Sequence, residues 1–281
     1  MPGHLRVSSR LAVVALILAT VAAIPTAGAG AGEDVPELLP DLRTYRPSDL
    51  NLDTNRIPGH RLLRFSNVVL NKGKGPMELG PKAEDCDGNG DPNDDRTAYQ
   101  HVFEDTNGDG VFSRATDAFT EQPAGCQIFH SAPDHNHWHF EDFARYELLK
   151  YTKDGVLGKV VSVSDKVSFC LVDTNSDKPA LPGYSATKYY GTQQARCQQD
   201  EVTGISIGWS DSYSYFLEGQ WVDITDLPIG TYCLRSTVDP NNRLEELKDT
   251  NNWRDIKLRI RTNKVLTANR RCVLRSPNPP E

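Results

Sequence analysis

The chain has 281 residues with 38 acidic and 31 basic side chains, a formal net charge of −7, and no basic patch, which argues against a nucleic-acid partner and suits a cationic substrate. Its 18 prolines, 21 glycines and few long helical periods point to a loop-rich, mainly β protein.

Residues 1–32 read as a secretory signal peptide. Arg6 and Arg10 precede an apolar run from Leu11 to Ile24, and Ala27, Ala29 and Ala31 follow as an A-x-A-like cleavage pattern. An uncleaved anchor is the alternative, but the run is short for a membrane span, and no other stretch comes near one. The mature chain, 33–281, is then long enough for one large domain or two small ones. Cysteines at 86, 126, 170, 197, 233 and 272 give an even count, which in a secreted chain implies three disulfides. Spacing alone leaves all fifteen pairings open.

Residues 33–58 are proline-punctuated, with Leu39-Pro-Asp-Leu42 as their ordered-looking piece. Alternation predicts a strand over 61–70 with one face more apolar, a turn over 71–76 and a short strand over 77–79. Two acidic segments, from Asp85 and from Asp105, fit the first half of a calcium loop. Their twelfth positions are Arg96 and Thr116 where a bidentate Glu is needed, so they read first as acidic turns and second as incomplete calcium sites. A strand over 98–103 separates them. Strands over 143–151 and 157–163 form a hairpin through Asp154-Gly155, and 166–173 reads as the next strand. Residues 174–219 form a long, weakly patterned loop, and alternating strands follow over 220–226, 230–238 and 253–261. Short strands at this spacing predict a β-sandwich of antiparallel strands stapled by disulfides.

The densest chemistry lies in His130-Ser-Ala-Pro-Asp-His135-Asn-His137-Trp-His139-Phe140. His135, His137 and His139 alternate, so on a strand all three imidazoles line one face while Trp138 and Phe140 line the other. Neutral imidazoles suit copper, zinc, iron or nickel, and this pattern favours a metal site over a strand with solvated histidines. Other chemistries fare worse. Gly204-Ile-Ser206-Ile-Gly208 matches a nucleophile elbow, but no helix follows it and the chain lacks βαβ alternation. No H-E-x-x-H segment is present to suggest a helical zinc protease.

His135-Asn-His-Trp-His139-Phe140-Glu-Asp-Phe143 resembles the copper-binding segment of the lysyl oxidase family. Asp165-Lys166-Val-Ser-Phe-Cys-Leu-Val-Asp173 resembles the segment with the cofactor lysine. Asp211-Ser-Tyr213, followed by Gln220-Trp-Val-Asp-Ile-Thr-Asp226, resembles the one with the cofactor tyrosine. Leu39-Pro-Asp-Leu42, Leu62-Leu-Arg-Phe65 and Glu246 with Asn251-Asn252 also match, so the resemblance covers about 39–261 and implies a single lysyl oxidase-like catalytic domain over 33–281.

The resemblance implies copper on His135, His137 and His139, with His130 an uncertain neighbour. It also implies a lysine tyrosylquinone made by joining Lys166 to Tyr213, with Tyr215 as the alternative one slip away. The expected activity is oxidation of peptidyl lysine or another primary amine to an aldehyde, by way of a Schiff base and removal of the α-proton. Oxygen is the oxidant, and ammonia and hydrogen peroxide are released. Asp211 and Asp134 lie near the relevant segments, but neither is singled out as the base. The resemblance further implies disulfides Cys170–Cys197, Cys86–Cys126 and Cys233–Cys272, and a calcium site on Asp41, Glu246, Asn251 and Asn252. In that site Lys248 stands where the family has an acidic residue. The alternative is a non-catalytic secreted metal-binding β-sandwich module.

Overall fold

A strand that buries alternate residues still leaves its edges to be paired, so a chain built of such segments must assemble into sheets. The computed structural model describes residues 35–91, 93–131, 136–192, 197–268 and 270–272, and within them every strand pairing is antiparallel. The signal-peptide segment, Asp134 and His135 lie outside the described residues. No described helix is long and apolar enough to cross a membrane.

The first strands are β1 (Glu37–Leu38), β2 (Leu42–Thr44), β3 (Ser48–Asp53), β4 (Leu62–Asn71) and β5 (Met77–Lys82). There follow β6 (Asp95–Glu104), β7 (Phe119–His130), β8 (His137–Phe140), β9 (Ala144–Tyr151) and β10 (Leu157–Val163). The remainder holds β11 (Asn175–Ser176), β12 (Thr203–Ile205), β13 (Trp209–Tyr213), β14 (Trp221–Asp223), β15 (Gly230–Val238), β16 (Trp253–Ile260) and β17 (Val265–Thr267). A 3₁₀ turn, Asp249–Asn251, precedes β16.

One sheet runs β12-β5-β6-β7-β8 with β1 on β6, and ends at the histidine strand. A second runs β10-β9-β15-β16-β17. The third is built on β4, which pairs with β2, β3, β13 and β14. The aromatic core ties the last two together: Phe65 of β4 meets Tyr146 of β9 edge-on, with ring centres 4.8 Å apart, and both are fully buried. Each such buried side chain contributes roughly 1.5–3 kcal/mol of transfer free energy.

β4 departs from the expected half-buried alternation, because both its faces are covered. Its polar residues therefore take most of their partners inside the protein, with Arg64 Nε and Asn67 Nδ2 left without a hydrogen bond among the described residues. Arg64 donates to Asp53 at 3.1 Å and to the Leu217 carbonyl at 2.8 Å, and Asn67 Oδ1 accepts from Thr44 and Ser236. The segment 166–173 is a second departure. It is extended but joins no ladder beyond a bridge of Phe169 to Phe140, because its polar groups are used elsewhere. The Leu171 carbonyl accepts from Gly204 N, and Val172 N donates to Asp211. The third departure lies within 174–219, read as loop, which contains β11, β12 and β13.

Three disulfides join Cys86 to Cys126, Cys170 to Cys197 and Cys233 to Cys272, with Cα separations of 5.6, 5.7 and 5.9 Å. A buried ionic cluster also spans β5 and β6. Glu78, 2% exposed, accepts from Arg114 at 2.6 Å and from the Tyr190 hydroxyl at 2.5 Å, and contacts His101 Nδ1 at 2.7 Å. Burial pushes its pKa up, but these partners outweigh burial and hold it below the usual carboxylate value.

Candidate active site and metal centre

β8 begins at His137 and pairs with the end of β7, so that His137 stands opposite His130 and His139 opposite Ile128. Residues two apart on a strand share a face, and Trp138 and Phe140 are buried on the other side. The Nε2 atoms of His137 and His139 converge to 2.8 Å. Two nitrogens bound cis to one metal at about 2.0–2.1 Å stand about 2.9 Å apart, so this pair suits a single ion. The His130 ring centre is 4.4 Å from that of His139, which places this upstream histidine beside the pair. Ser168 Oγ lies 3.4 Å from His139 Nδ1 and 3.3 Å from His130 Nε2. A contact at Nδ1 would leave Nε2 of His139 as the nitrogen to face an ion.

The histidine strand is bonded directly to the segment carrying Lys166. Phe140 N donates to the Phe169 carbonyl at 2.9 Å, and Phe169 N to the Phe140 carbonyl at 3.0 Å. Trp138 N donates to the carbonyl of Cys197, whose disulfide partner Cys170 follows Phe169. Lys166 is half-buried, with its ammonium 5.0 Å from the centre of the Phe169 ring and 6.0 Å from the centre of the Tyr213 ring. Burial lowers its pKa to about 8, opposed by the charge of Glu218. The lysine stem lies on Gly219, whose φ is +74°; a Cβ there would meet Lys166 Cβ at 3.0 Å and Cδ at 3.1 Å.

Tyr213 ends β13 and stacks edge-on against Phe169, with ring centres 4.6 Å apart. Its hydroxyl reaches two acceptors, the Cys170 carbonyl and, at 2.9 Å, Asp211 Oδ2. Asp211 is 2% exposed. Its Oδ1 accepts from Thr174 Oγ1 at 2.9 Å. Burial raises its pKa to about 7 despite the bonds from Thr174, Tyr213 and the backbone. Tyr215, the slip alternative, is 40% exposed and packs on Phe216.

The second expected ion site is also drawn together. Asn251 Nδ2 donates to Asp41 Oδ1 at 2.7 Å, Asn252 Nδ2 donates to Glu246 Oε1 at 2.7 Å, and Leu42 N donates to Glu246 Oε2 at 2.5 Å. Both asparagine Oδ1 atoms are buried without a hydrogen-bond partner. Two carboxylates and two orphaned amide oxygens form a hard-oxygen donor set of the kind calcium takes, once the amides turn over. Arg43, bonded to Asp41 at 2.6 Å, competes for the same charge. The acidic segments at 85–91 and 105–110 fold as turns in which Asp85 and Asp105 accept from the amides of Gly90 and Gly110.

Ser168, Phe169 and Gly219 are not among the site residues expected from the sequence, and Asp211 stands there only as a neighbour of the tyrosine segment, not singled out as the base. For Asp211 a signal existed: it stands two before Tyr213, and on a strand that is the same face. A loop over 174–219 gives that shared face no meaning, so sequence proximity alone does not single Asp211 out.

A family model described as lysyl oxidase matches residues 111–272, a stretch that includes every histidine of the cluster, Lys166, Asp211 and Tyr213. Lysyl oxidase homolog 1 of Homo sapiens is 34% identical over 137 residues, which cover 48% of this chain and 21% of that protein. Lysyl oxidase homolog 3B of Danio rerio and lysyl oxidase homolog 2 of Bos taurus are each 34% identical over 119 residues, 42% of this chain and 13% of each relative. The chain therefore matches about a fifth or less of the length of these relatives.

Proposed function

This chain belongs to the lysyl oxidase family, and from that premise we propose that it is a secreted, copper-dependent amine oxidase whose organic cofactor is built from Lys166 and Tyr213. The observation that carries the proposal is the placement of a partly desolvated Lys166 ammonium 6.0 Å from the Tyr213 ring, on a segment hydrogen-bonded to the histidine strand. Residues 1–32 serve as the export signal and 33–281 as one catalytic domain. The substrate is a primary amine, on a protein lysine or a simpler molecule, and the excess of acidic over basic residues favours its cationic form.

His137 and His139 would hold copper together with His135, with His130 beside them. When bound, copper supplies the electron and oxygen chemistry that turns a phenol into a quinone, and the quinone supplies the carbonyl that takes up the amine. The residues contribute the rest. Burial against Phe169 keeps a sizeable fraction of Lys166 neutral near pH 8, and only the neutral amine is a nucleophile. Phe169 lies beneath the Lys166 ammonium and fixes the plane of the Tyr213 ring by its edge-on contact. The Cys170 carbonyl anchors the phenol, and the Cys170–Cys197 bond holds that carbonyl against the histidine strand. Calcium on Asp41, Glu246, Asn251 and Asn252 would brace β2 against the turn before β16.

Copper loading of the secreted protein, followed by quinone staining and peptide mass analysis, tests the proposal. The expected result is one linked species containing Lys166 and Tyr213, and peroxide release from a panel of primary amines. Unlinked peptides with no peroxide from any amine would leave a non-catalytic metal-binding module.

A further inference from the structure

We infer that Asp211 is the general base that takes the phenolic proton of Tyr213, an assignment that rests on the proposed role of Tyr213 as cofactor precursor. The phenol has one proton and two acceptors, the Cys170 carbonyl and Asp211 Oδ2 at 2.9 Å. An amide carbonyl cannot hold that proton; a carboxylate can. In the step, the Tyr213 Oη–H bond breaks, its electron pair stays on the phenolate oxygen, and the proton bonds to Asp211 Oδ2. The carboxylic acid so formed then donates a hydrogen bond back to the phenolate. No electron is transferred and no co-reactant is needed.

The surroundings of Asp211 suit a base rather than a structural anion. It is nearly sealed from water, and no Lys or Arg forms an ion pair with it among the described residues. Its contacts are hydroxyls and amides: Tyr213 on its own strand, Thr174 Oγ1 at 2.9 Å and Val172 N at 3.3 Å from the segment after Lys166. The other titratable group facing it is Tyr146 of β9, whose own pKa is raised, chiefly by burial and in part by the charge of Asp211. Burial makes the carboxylate a stronger base than an ordinary aspartate, with a pKa raised to about 7, and no described ion pair offsets it, which narrows the gap to a phenol. Lys166 approaches the same ring, so phenolate formation and amine approach meet at Tyr213, beside Phe169.

The experiment uses the full-length secreted protein in two arms. In the metal-free protein, the carboxylic C=O infrared band of Asp211 is followed against pH in wild type, Asp211→Asn and Tyr213→Phe. The expected band has a midpoint near pH 7, is missing in Asp211→Asn and shifts in Tyr213→Phe. In the copper-loaded protein, the rate of Lys166–Tyr213 linkage is followed against pH. Wild type is expected to show a rising limb set by one group near pH 7. Asp211→Asn should lose that limb and slow about 100-fold or more, the usual worth of a positioned base, and Asp211→Glu should regain part of both. A role confined to packing predicts instead that Asp211→Asn slows linkage while keeping the wild-type limb, and that result overturns the assignment. So does an infrared band indifferent to Tyr213→Phe in a protein that links normally. If wild type never links while the infrared coupling is intact, the cofactor reading falls and the proton contact stands.

Discussion

The contact between Gly219 and Lys166 can be isolated by a pair of substitutions. Gly219→Ala places a methyl group on a residue at φ +74°, where an L side chain costs about 1–2 kcal/mol. It also sets that methyl 3.0 Å from Lys166 Cβ and 3.1 Å from Cδ, closer than ordinary contact, so the lysine stem must move by a few tenths of an ångström. Overpacking of this kind costs roughly 1–3 kcal/mol, and a flexible stem puts it at the low end. Gly155, at φ +77° in the β9–β10 turn, supplies the control, because a Cβ there meets nothing within 4 Å. Both variants lose the same backbone freedom in the unfolded chain, so that term cancels between them. Gly219→Ala is therefore expected to lie about 1 kcal/mol below Gly155→Ala, or roughly 2–4 °C in a thermal melt. Acylation of Lys166, read by peptide mass, should change in Gly219→Ala and not in Gly155→Ala. Equal melting temperatures with unchanged Lys166 reactivity would refute the view that Gly219 positions the lysine.

Lys166 also predicts a pH signature: its acylation should show a midpoint near 8, where an exposed lysine titrates near 10.4, and a midpoint at the ordinary value would remove the case for its desolvation. The linkage follows the same shift. The unfolded amine binds its proton below about 10.5 and the folded one only below about 8, so this group withdraws stability as pH falls through that window, and Lys166→Met should flatten the slope seen in denaturant titrations. Glu78→Gln should destabilise the fold by about 3 kcal/mol, measured by chemical denaturation, because it leaves Arg114 and His101 without their shared buried anion. His139→Ala should abolish stoichiometric copper binding in equilibrium dialysis while preserving the fold, since the strand's apolar face is carried by Trp138 and Phe140.

Much of the sheet framework is legible in the alternation of residues 61–70, 143–151, 157–163, 230–238 and 253–261, which become β4, β9, β10, β15 and β16. The histidine spacing likewise reads as strand, and His137 and His139 do share one. What the sequence hides is whatever depends on long-range pairing. Trp209–Tyr213 has no clear period of its own; it is a strand because β4 pairs with it through Leu70, Val69, Val68 and Asn67. Without that strand, Asp211 and Tyr213 have no shared face, and the carboxylate is only a neighbour in sequence with nothing to single it out. The reverse error occurs at 166–173, where β-branched and aromatic residues suggest a ladder but the polar groups bond Gly204 and Asp211 instead. His130 is separated from His135 by four intervening residues, and only the register of β7 against β8 shows it facing His137.

The two-way bond between Phe140 and Phe169 acts as a rivet between segments that otherwise share little backbone pairing. One residue before Phe140 is an imidazole of the histidine cluster; one residue after Phe169 is the carbonyl that anchors the phenol. Any displacement of the histidines on taking up an ion is thus delivered to Tyr213 across a lever two residues long. The amide protons of Phe140 and Phe169 would report it directly, exchanging with solvent more slowly once the ion is in place.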